Sequence, residues 1–156
     1  MGSFPLGVAL LAYEEPTVQA AVKVLGKASG EGEARVWKTG EKRNMREAVF
    51  LNSLSIHCSD YDNGGSLGHP ASVFLPPAIA LAEKYHLSGK KVMEAYALAY
   101  ELGARLRSSM GDLQFGAGYH ATSLLGCVCS AALSAKLMGL DAEKIRMAMA
   151  IACSNV

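Results

Sequence analysis

Aromatic residues and unbalanced charge are scarce in this chain. Aromatic residues make up 7% of its 156 residues, and 15 basic against 14 acidic residues leave a net charge of +1. A nucleic-acid interface needs a basic surface, and single-strand binding adds an aromatic platform on which bases stack. This composition argues against nucleic acid, and against an anionic membrane surface, as the main partner.

Apolar runs long enough to cross a bilayer are also missing. The uncharged stretches from Phe4 to Tyr13 and from Ala121 to Ala135 are both shorter than the roughly 20 residues that a membrane-spanning helix requires. Phe4 to Tyr13 has no basic residue before it, so the stretch does not have the features of a signal peptide. We therefore predict no membrane segment and a cytoplasmic location.

Cysteine pairs with redox or zinc-binding spacing are absent as well. None of the four cysteines forms a C-x-x-C pair, and Cys127 and Cys129 are spaced to point to different faces of a helix. We interpret all four as small buried hydrophobes in a reducing compartment. Zinc binding by His57, Asp60 and His69 would have no recognised spacing, so we predict no metal and no cofactor.

Apolar residues, in contrast, are abundant. They make up 51% of the chain, whereas charged residues make up only 19%. The length suits one domain with one sizeable core. An apolar content this high indicates either a large core or a surface that packs against another chain.

Helical periodicity extends over most of the chain and predicts an all-α, multi-helix bundle. We expect Ser88 to be the N-cap of the helix over 89–109, and Asp141 to be the N-cap of the last helix. Only the segment 34–39 favours extended structure, so we expect at most one short, isolated extended segment. Predicted helices cover 4–13, 17–28, 45–60, 76–86, 89–109, 119–138 and the residues that follow 141.

Titratable residues crowd one glycine-rich stretch, H-C-S-D-Y-D-N-G-G-S-L-G-H-P, over residues 57–70. His57 and Asp60 lie three residues apart and would share a face at a helix end. Acid and base groups on a loop held between helices are a common way to build a site. These residues alone leave open a second interpretation, a polar interhelical loop with a capping aspartate and one buried histidine.

Six stretches carry a more specific pattern, above all H-x-x-D-x-D followed by H-P. Together they resemble the N-terminal helical domain of the MmgE/PrpD family, which includes 2-methylcitrate dehydratase, cis-aconitate decarboxylase and iminodisuccinate epimerase. The stretches are L-G-V-A-L-L-A-Y-E-E-P, N-S-L-S-I-H-C-S-D-Y-D, G-H-P-A-S-V-F-L-P-P-A-I-A-L-A-E, A-Y-A-L-A-Y-E-L-G-A-R-L, G-Y-H-A-T-S and L-M-G-L-D-A-E-K-I-R-M-A-M-A-I-A-C-S.

The resemblance implies an active site in a cleft between this helical domain and a smaller α/β domain. It also implies a homodimer formed mostly through the helical domain. The family's catalytic lysine and a later tyrosine would lie beyond Val156. We therefore interpret residues 1–156 as a partial, truncated helical domain without its second domain, which leaves open whether this chain is an active enzyme by itself.

Three catalytic residues follow from the resemblance. Asp60 matches the first aspartate of the family's D-x-D-D-T signature, His69 matches the histidine before proline, and His120 matches the histidine of its G-x-H segment. We expect His57 and His86 to be structural and solvated, respectively.

The same loop departs from the family pattern next to Asp60. Asp62-Asn63 stands where the family has a pair of aspartates, and Gly64 stands where it has threonine, so a hydroxyl is lost. We predict that Asp62, Asn63 and Ser66 bind the substrate.

The implied chemistry acts on small di- or tricarboxylates. A base removes a proton from a carbon next to a carboxylate, and an acid assists departure of hydroxide or CO2 or returns a proton to the carbon. Histidine suits both roles because both of its protonation states are populated near neutral pH. His69 and His120 would supply the base and the acid between them, in an order that the sequence leaves open, with Asp60 orienting an imidazole and without a metal.

A second function remains open at this point. The chain could be a non-catalytic helical dimerisation module, a truncated or degenerate relative that keeps the interface and has lost the chemistry. Activity toward cis-aconitate or a related carboxylate distinguishes the two.

Overall fold

Helices form most of the chain, as the periodicity predicts. The computed structural model describes residues 3–28, 32–65, 67–110 and 118–154. Within these ranges the all-α prediction is confirmed, because the strands β1 and β2 are only two residues long each. The elements are α1 (Ser3–Ala12), α2 (Pro16–Leu25), β1 (Ala34–Arg35), β2 (Lys42–Arg43), α3 (Met45–His57), α4 (Pro70–Tyr85), α5 (Gly89–Met110), α6 (Ala121–Leu137) and α7 (Ala142–Cys153).

Side-chain caps define several helix ends. Asn44 caps α3 by accepting a hydrogen bond from the backbone N–H of Glu47 at 3.0 Å. Asp141 caps α7 by accepting one from Lys144 N–H at 2.9 Å, which confirms the predicted cap and satisfies a backbone donor that has no partner within the helix.

Helix α4 begins earlier than predicted. The predicted start was Pro76, but the helix begins at Pro70 and contains both Pro76 and Pro77. A proline inside a helix removes a backbone donor and disfavours helix at that point. Burial outweighs this cost, because Pro76 itself and the neighbouring Phe74 are fully buried. The earlier start matters for function, since it places His69 at the N-cap position of α4.

The extended segment is not isolated, so that part of the prediction was wrong. Ala34 and Arg35 pair with Arg43 and Lys42 in a small antiparallel hairpin. The buried side chain of Asn52 holds the hairpin to α3, because its Oδ1 accepts from Trp37 N–H at 3.0 Å and its Nδ2 donates to the Arg35 carbonyl at 2.8 Å.

The main core lies between α4, α5 and α6. Its buried members include Phe74 of α4, Ala99 of α5 and Leu133 of α6, together with Leu67 from the loop before α4. Helices α4 and α6 approach closely at Gly126, where an added Cβ would lie 3.1 Å from the Val73 methyl groups. A second cluster joins α2, α3 and the hairpin. The loop that precedes α4 is therefore anchored in the main core.

Two expectations about burial were wrong. Helix α1 was expected to be buried, yet Leu11 is 82% exposed and Phe4 is 52% exposed. The cysteines were all expected to be buried, yet Cys127 and Cys153 are exposed. Only Cys129 is fully enclosed, and its burial raises the pKa of that thiol to about 11. Both errors have the same cause. Apolar composition predicts where helices form, but it does not show which helix faces are covered by other elements.

No helix within the described ranges combines the length and the hydropathy needed to cross a bilayer.

Replacing Phe74 with alanine tests the core. Phe74 is fully buried and packs edge-on against Tyr96, with ring centroids 5.8 Å apart. We expect Phe74→Ala to lower the free energy of unfolding by about 3–5 kcal/mol, because it leaves a cavity. Urea denaturation measures the change. Phe50→Ala is the matched control, since Phe50 is 51% exposed and should cost less than about 1 kcal/mol. Equal losses in the two variants would contradict this packing.

Candidate active site

The loop between α3 and α4 has a backbone that few sequences can adopt. Asp60, Gly65 and Gly68 have φ angles of 51°, 130° and 126°. The Gly68 N–H donates to the Gly65 carbonyl at 2.7 Å and closes a tight turn around Leu67, which is fully buried. A positive φ at Asp60 is uncommon for a residue with a side chain and is found often at functional sites.

Glycine is required at two positions because the loop presses against neighbouring helices. A Cβ at Gly65 would collide with the Tyr100 hydroxyl of α5, and a Cβ at Gly68 would lie 2.5 Å from Thr122 Oγ1 of α6. Thr122 also accepts a hydrogen bond from the His69 backbone N–H at 3.1 Å. These contacts fix the position of His69 relative to α5 and α6.

Asp62 lies at the centre of the site. Its side chain is fully buried, and its Oδ1 is 3.2 Å from His57 Nδ1 and 2.9 Å from His69 Nδ1. The two imidazole rings lie with centroids 4.7 Å apart. Asp62 Oδ2 is buried and has no hydrogen-bond partner within the described residues. One carboxylate oxygen therefore bridges two histidines that come from opposite ends of the loop.

His69 contacts a second carboxylate through its other nitrogen. His69 Nε2 is 3.3 Å from Asp60 Oδ1, whose side chain is 77% exposed. A carboxylate only accepts hydrogen bonds, so both contacts of His69 can be hydrogen bonds at once only when both ring nitrogens carry protons.

His120 lies at the N-cap position of α6 and has an exposed side chain. Its ring centroid is 6.2 Å from that of His57. His57 therefore neighbours both His69 and His120. The structure brings the predicted catalytic residues Asp60 and His69 into direct contact and places His120 near them through His57.

Asn63 faces the inside of the loop. Its Oδ1 is buried without a partner in the described part of the chain, and its side chain makes a hydrogen bond to Tyr96 of α5. Burial raises the pKa of Tyr96, and the hydrogen bond from Asn63 acts in the opposite direction. Tyr96 is thus a neutral hydroxyl close to the site at neutral pH.

Ser66, the third residue predicted to bind substrate, lies outside the described residues. Asp62, the first of them, is fully buried against two imidazoles, so it cannot touch a substrate in this conformation. Asn63 remains a predicted substrate contact.

Four of these side chains could together hold a metal ion. One ligand atom from each of His57, Asp60, Asp62 and His69 lies within 4.8 Å of the others. Imidazole and carboxylate ligands suit zinc and similar cations. Two of the separations from Asp62 Oδ1 are ordinary hydrogen-bond distances, so the cluster is equally consistent with a network held together by protons.

Sequence reasoning missed three contributors to the site. His57 was expected to be structural, although its spacing to Asp60 was a usable signal. Tyr96 and Thr122 were not considered, because Tyr96 belongs to the apolar stripe of α5 and Thr122 is a small residue in the first turn of α6. Nothing in their local sequence distinguishes them from core residues.

A sequence model of the MmgE/PrpD N-terminal domain matches residues 5–156. The chain belongs to the MmgE/PrpD family. The match runs through the whole site loop and through His120, so the residues described above belong to the family domain.

The curated relatives that the chain resembles agree with this family assignment. The cis-aconitate decarboxylase-like protein oryM of Aspergillus oryzae is 29% identical over 94% of this chain and 32% of its own length. Human cis-aconitate decarboxylase is 32% identical over 69% of this chain and 24% of its own length. The cis-aconitate decarboxylase of Aspergillus terreus is 29% identical over 80% of this chain. The chain thus spans about a third, or less, of the curated relatives that it matches.

Alanine at the loop glycines tests this geometry. We expect Gly65→Ala and Gly68→Ala each to lower the free energy of unfolding by about 1–3 kcal/mol, because each adds a collision to a strained φ. Gly64→Ala is the matched control, since the nearest atom to its added Cβ is 4.0 Å away and its φ lies outside the left-handed region. Thermal and urea unfolding measure all three. The geometry is wrong if Gly64→Ala is the most damaging.

Proposed function

We propose that this domain carries one wall of the active site of an MmgE/PrpD-type lyase or isomerase that acts on small di- or tricarboxylates. The observation that supports this most is the direct contact of His69 with both Asp60 and Asp62 on a constrained loop. Acid–base chemistry without a metal needs a proton donor and a proton acceptor held in fixed positions. The loop supplies these groups.

His69 is the proton donor in this proposal. Each of its two ring nitrogens faces a carboxylate oxygen, and an imidazole that carries protons on both nitrogens is the form that can give up a proton. The donated proton goes to departing hydroxide in a dehydration, or to the carbon that retains the electron pair when CO2 leaves. Asp60 stabilises the cation from the solvent side and orients the ring.

His120 is the proton acceptor. Its exposed ring at the start of α6 is near the other imidazoles and makes no ion pair with a carboxylate of the described residues. A neutral imidazole can take the proton from a carbon next to a substrate carboxylate, and the electron pair then forms the new double bond as the leaving group departs. Decarboxylation uses the donor and needs no such abstraction, so His120 distinguishes between the reaction types.

The cis-aconitate decarboxylases among the relatives supply the first substrate to test. This chain spans about a third of the first relative's length. We therefore propose the activity for a protein that contains this domain, and not for the domain by itself. The predicted homodimer and cytoplasmic location are part of the same proposal.

Histidine variants test the assignment. We expect His69→Gln to lower kcat by about 10²–10⁴-fold on every substrate, as loss of a general acid does. We expect His120→Gln to lower kcat by a similar factor only on substrates that lose a proton from carbon, with little effect on decarboxylation of cis-aconitate. The assay follows the absorbance of the conjugated double bond of cis-aconitate, and then of other small di- and tricarboxylates. It is run on the chain alone and on the product of its complete reading frame.

His86→Asn is the matched control for these variants. His86 ends α4 with a left-handed φ of 52°, which asparagine tolerates, and it lies at the opposite end of that helix from His69. It should leave kcat within about 2-fold of its original value. A complete protein inert toward the whole panel, or fully active without His69, would refute the enzyme proposal.

A second candidate function rests on exposed apolar side chains. Leu11, Met93 and Ile151 are 82%, 73% and 65% exposed, on α1, α5 and α7. Large exposed apolar side chains on several helices fit contact with another chain. A non-catalytic dimerisation module would use the same surface and leave the site idle.

Solution mass tests the dimer separately from the chemistry. We expect sedimentation equilibrium at micromolar concentration to give twice the 16.4 kDa mass of one chain. A dimer that is inactive as a complete protein would favour the module, and an active dimer would favour the enzyme. A monomer throughout the concentration range would contradict the predicted interface.

A further inference from the structure

We propose that Asp62 is a positioning residue that holds His57 and His69 as a pair, each donating its Nδ1 proton to the same carboxylate oxygen. His57 then belongs to the site, and in its neutral form it would have a free lone pair on Nε2. The structural part of this inference stands on the geometry alone. Its consequence for catalysis rests on the proposed function.

The bridging oxygen fixes where the protons are. Asp62 Oδ1 is 3.2 Å from His57 Nδ1 and 2.9 Å from His69 Nδ1, both within hydrogen-bond range. An ionised carboxylate has no proton to give, so each imidazole must be the donor. Both Nδ1 atoms therefore carry hydrogen. A free histidine favours the other tautomer, so the carboxylate selects the form that is present.

The burial of Asp62 makes this selection strict. Its side chain is fully buried, and a buried charge is tolerated only when paired and hydrogen-bonded. His69 makes the shorter of its two hydrogen bonds, and the other nitrogen of that ring faces the exposed carboxylate of Asp60 at 3.3 Å. His57 supplies a second hydrogen bond without needing a charge of its own.

His57 then occupies a defined place between the two proposed catalytic rings. Its centroid is 4.7 Å from that of His69 and 6.2 Å from that of His120. With its proton fixed on Nδ1, its Nε2 can only accept a hydrogen bond. His57 therefore lies between the proposed proton donor, His69, and the proposed proton acceptor, His120. Its own Nε2 is a further hydrogen-bond acceptor.

The second oxygen of Asp62 argues for a functional arrangement. Oδ2 is buried and has no partner in the described part of the chain, although its neighbour Oδ1 has two. An unmade hydrogen bond on a buried charged group costs stability. A residue present only to stabilise the fold would be expected to use both oxygens.

Nitrogen NMR of the histidines tests the inference directly. The 156-residue chain, labelled with ¹⁵N-histidine and kept in EDTA, is examined by long-range ¹H–¹⁵N correlation near neutral pH. We expect the Nδ1 atoms of both His57 and His69 to carry protons. A His57 that carries its proton only on Nε2, or an unprotonated His69 Nδ1, overturns the proposal.

Variants of Asp62 test whether this residue causes the expected protonation of the two Nδ1 atoms. Asp62→Leu removes the acceptor, and we expect the His57 proton to move to Nε2. Asp62→Asn keeps an oxygen but no charge, so we expect the hydrogen bonds from both Nδ1 atoms to weaken and both Nδ1 signals to shift. Asp141→Asn is the matched control, because asparagine also caps helices and Asp141 caps α7, so both signals should be unchanged. If neither Asp62 variant folds, the spectrum of the unaltered chain decides.

Zinc titration separates this network from a metal site at the same four residues. One equivalent of Zn²⁺ that binds tightly and removes the protons from both Nδ1 atoms would show that the cluster is built for a metal, and would overturn the proposal. Weak binding, with the histidine signals unchanged at one equivalent, supports it.

The kinetic readout is made on the active complete protein. We expect Asp62→Asn to lower kcat by at least about 100-fold with little change in KM, as loss of an aspartate that holds a catalytic histidine does. Unchanged kcat with altered histidine signals would overturn the catalytic part of the inference. If both Nδ1 atoms carry protons as predicted but the complete protein is inert toward every carboxylate, the proposed function is refuted. The role of Asp62 in positioning the histidines would still be supported.

Discussion

The arrangement of this site depends on one buried carboxylate oxygen. Asp62 Oδ1 is the common partner of His57 at the end of α3 and of His69 at the start of α4. A buried charge with two charge-assisted partners is stable only while both remain in place. The loop between the two helices must therefore bring its two ends together, which explains why its backbone is so unusual.

The surrounding core holds the loop in that shape. Leu67 is fully buried among α4, α5 and α6, and the two strained glycines fit against Tyr100 and Thr122. These contacts come from three helices, so a shift of α5 or α6 relative to α4 would displace His69. Packing of the apolar bundle thus holds the polar groups in fixed positions. Surrounding structure of this kind usually sustains a strained backbone at a functional site.

Much of this could be predicted from the sequence, and the failures have physical causes. Periodicity and caps located the helices because both signals are local, as the Asp141 cap shows. The start of α4 was missed because local rules exclude proline from a helix interior, whereas burial of Pro76 is a tertiary effect. Asp60 and His69 were found by their motif. The roles of His57 and Tyr96 were not found, because only the folded chain shows which residues surround Asp62.

The charge of the cluster limits what it can do by itself. Asp60 and Asp62 set two carboxylates beside the imidazoles, and no lysine or arginine is among the partners of these side chains within the described residues. A di- or tricarboxylate would be repelled by such a surface, since like charges disfavour each other. Productive binding therefore requires cationic groups from elsewhere. Under the proposed function, the site loop handles protons and groups outside it neutralise the substrate.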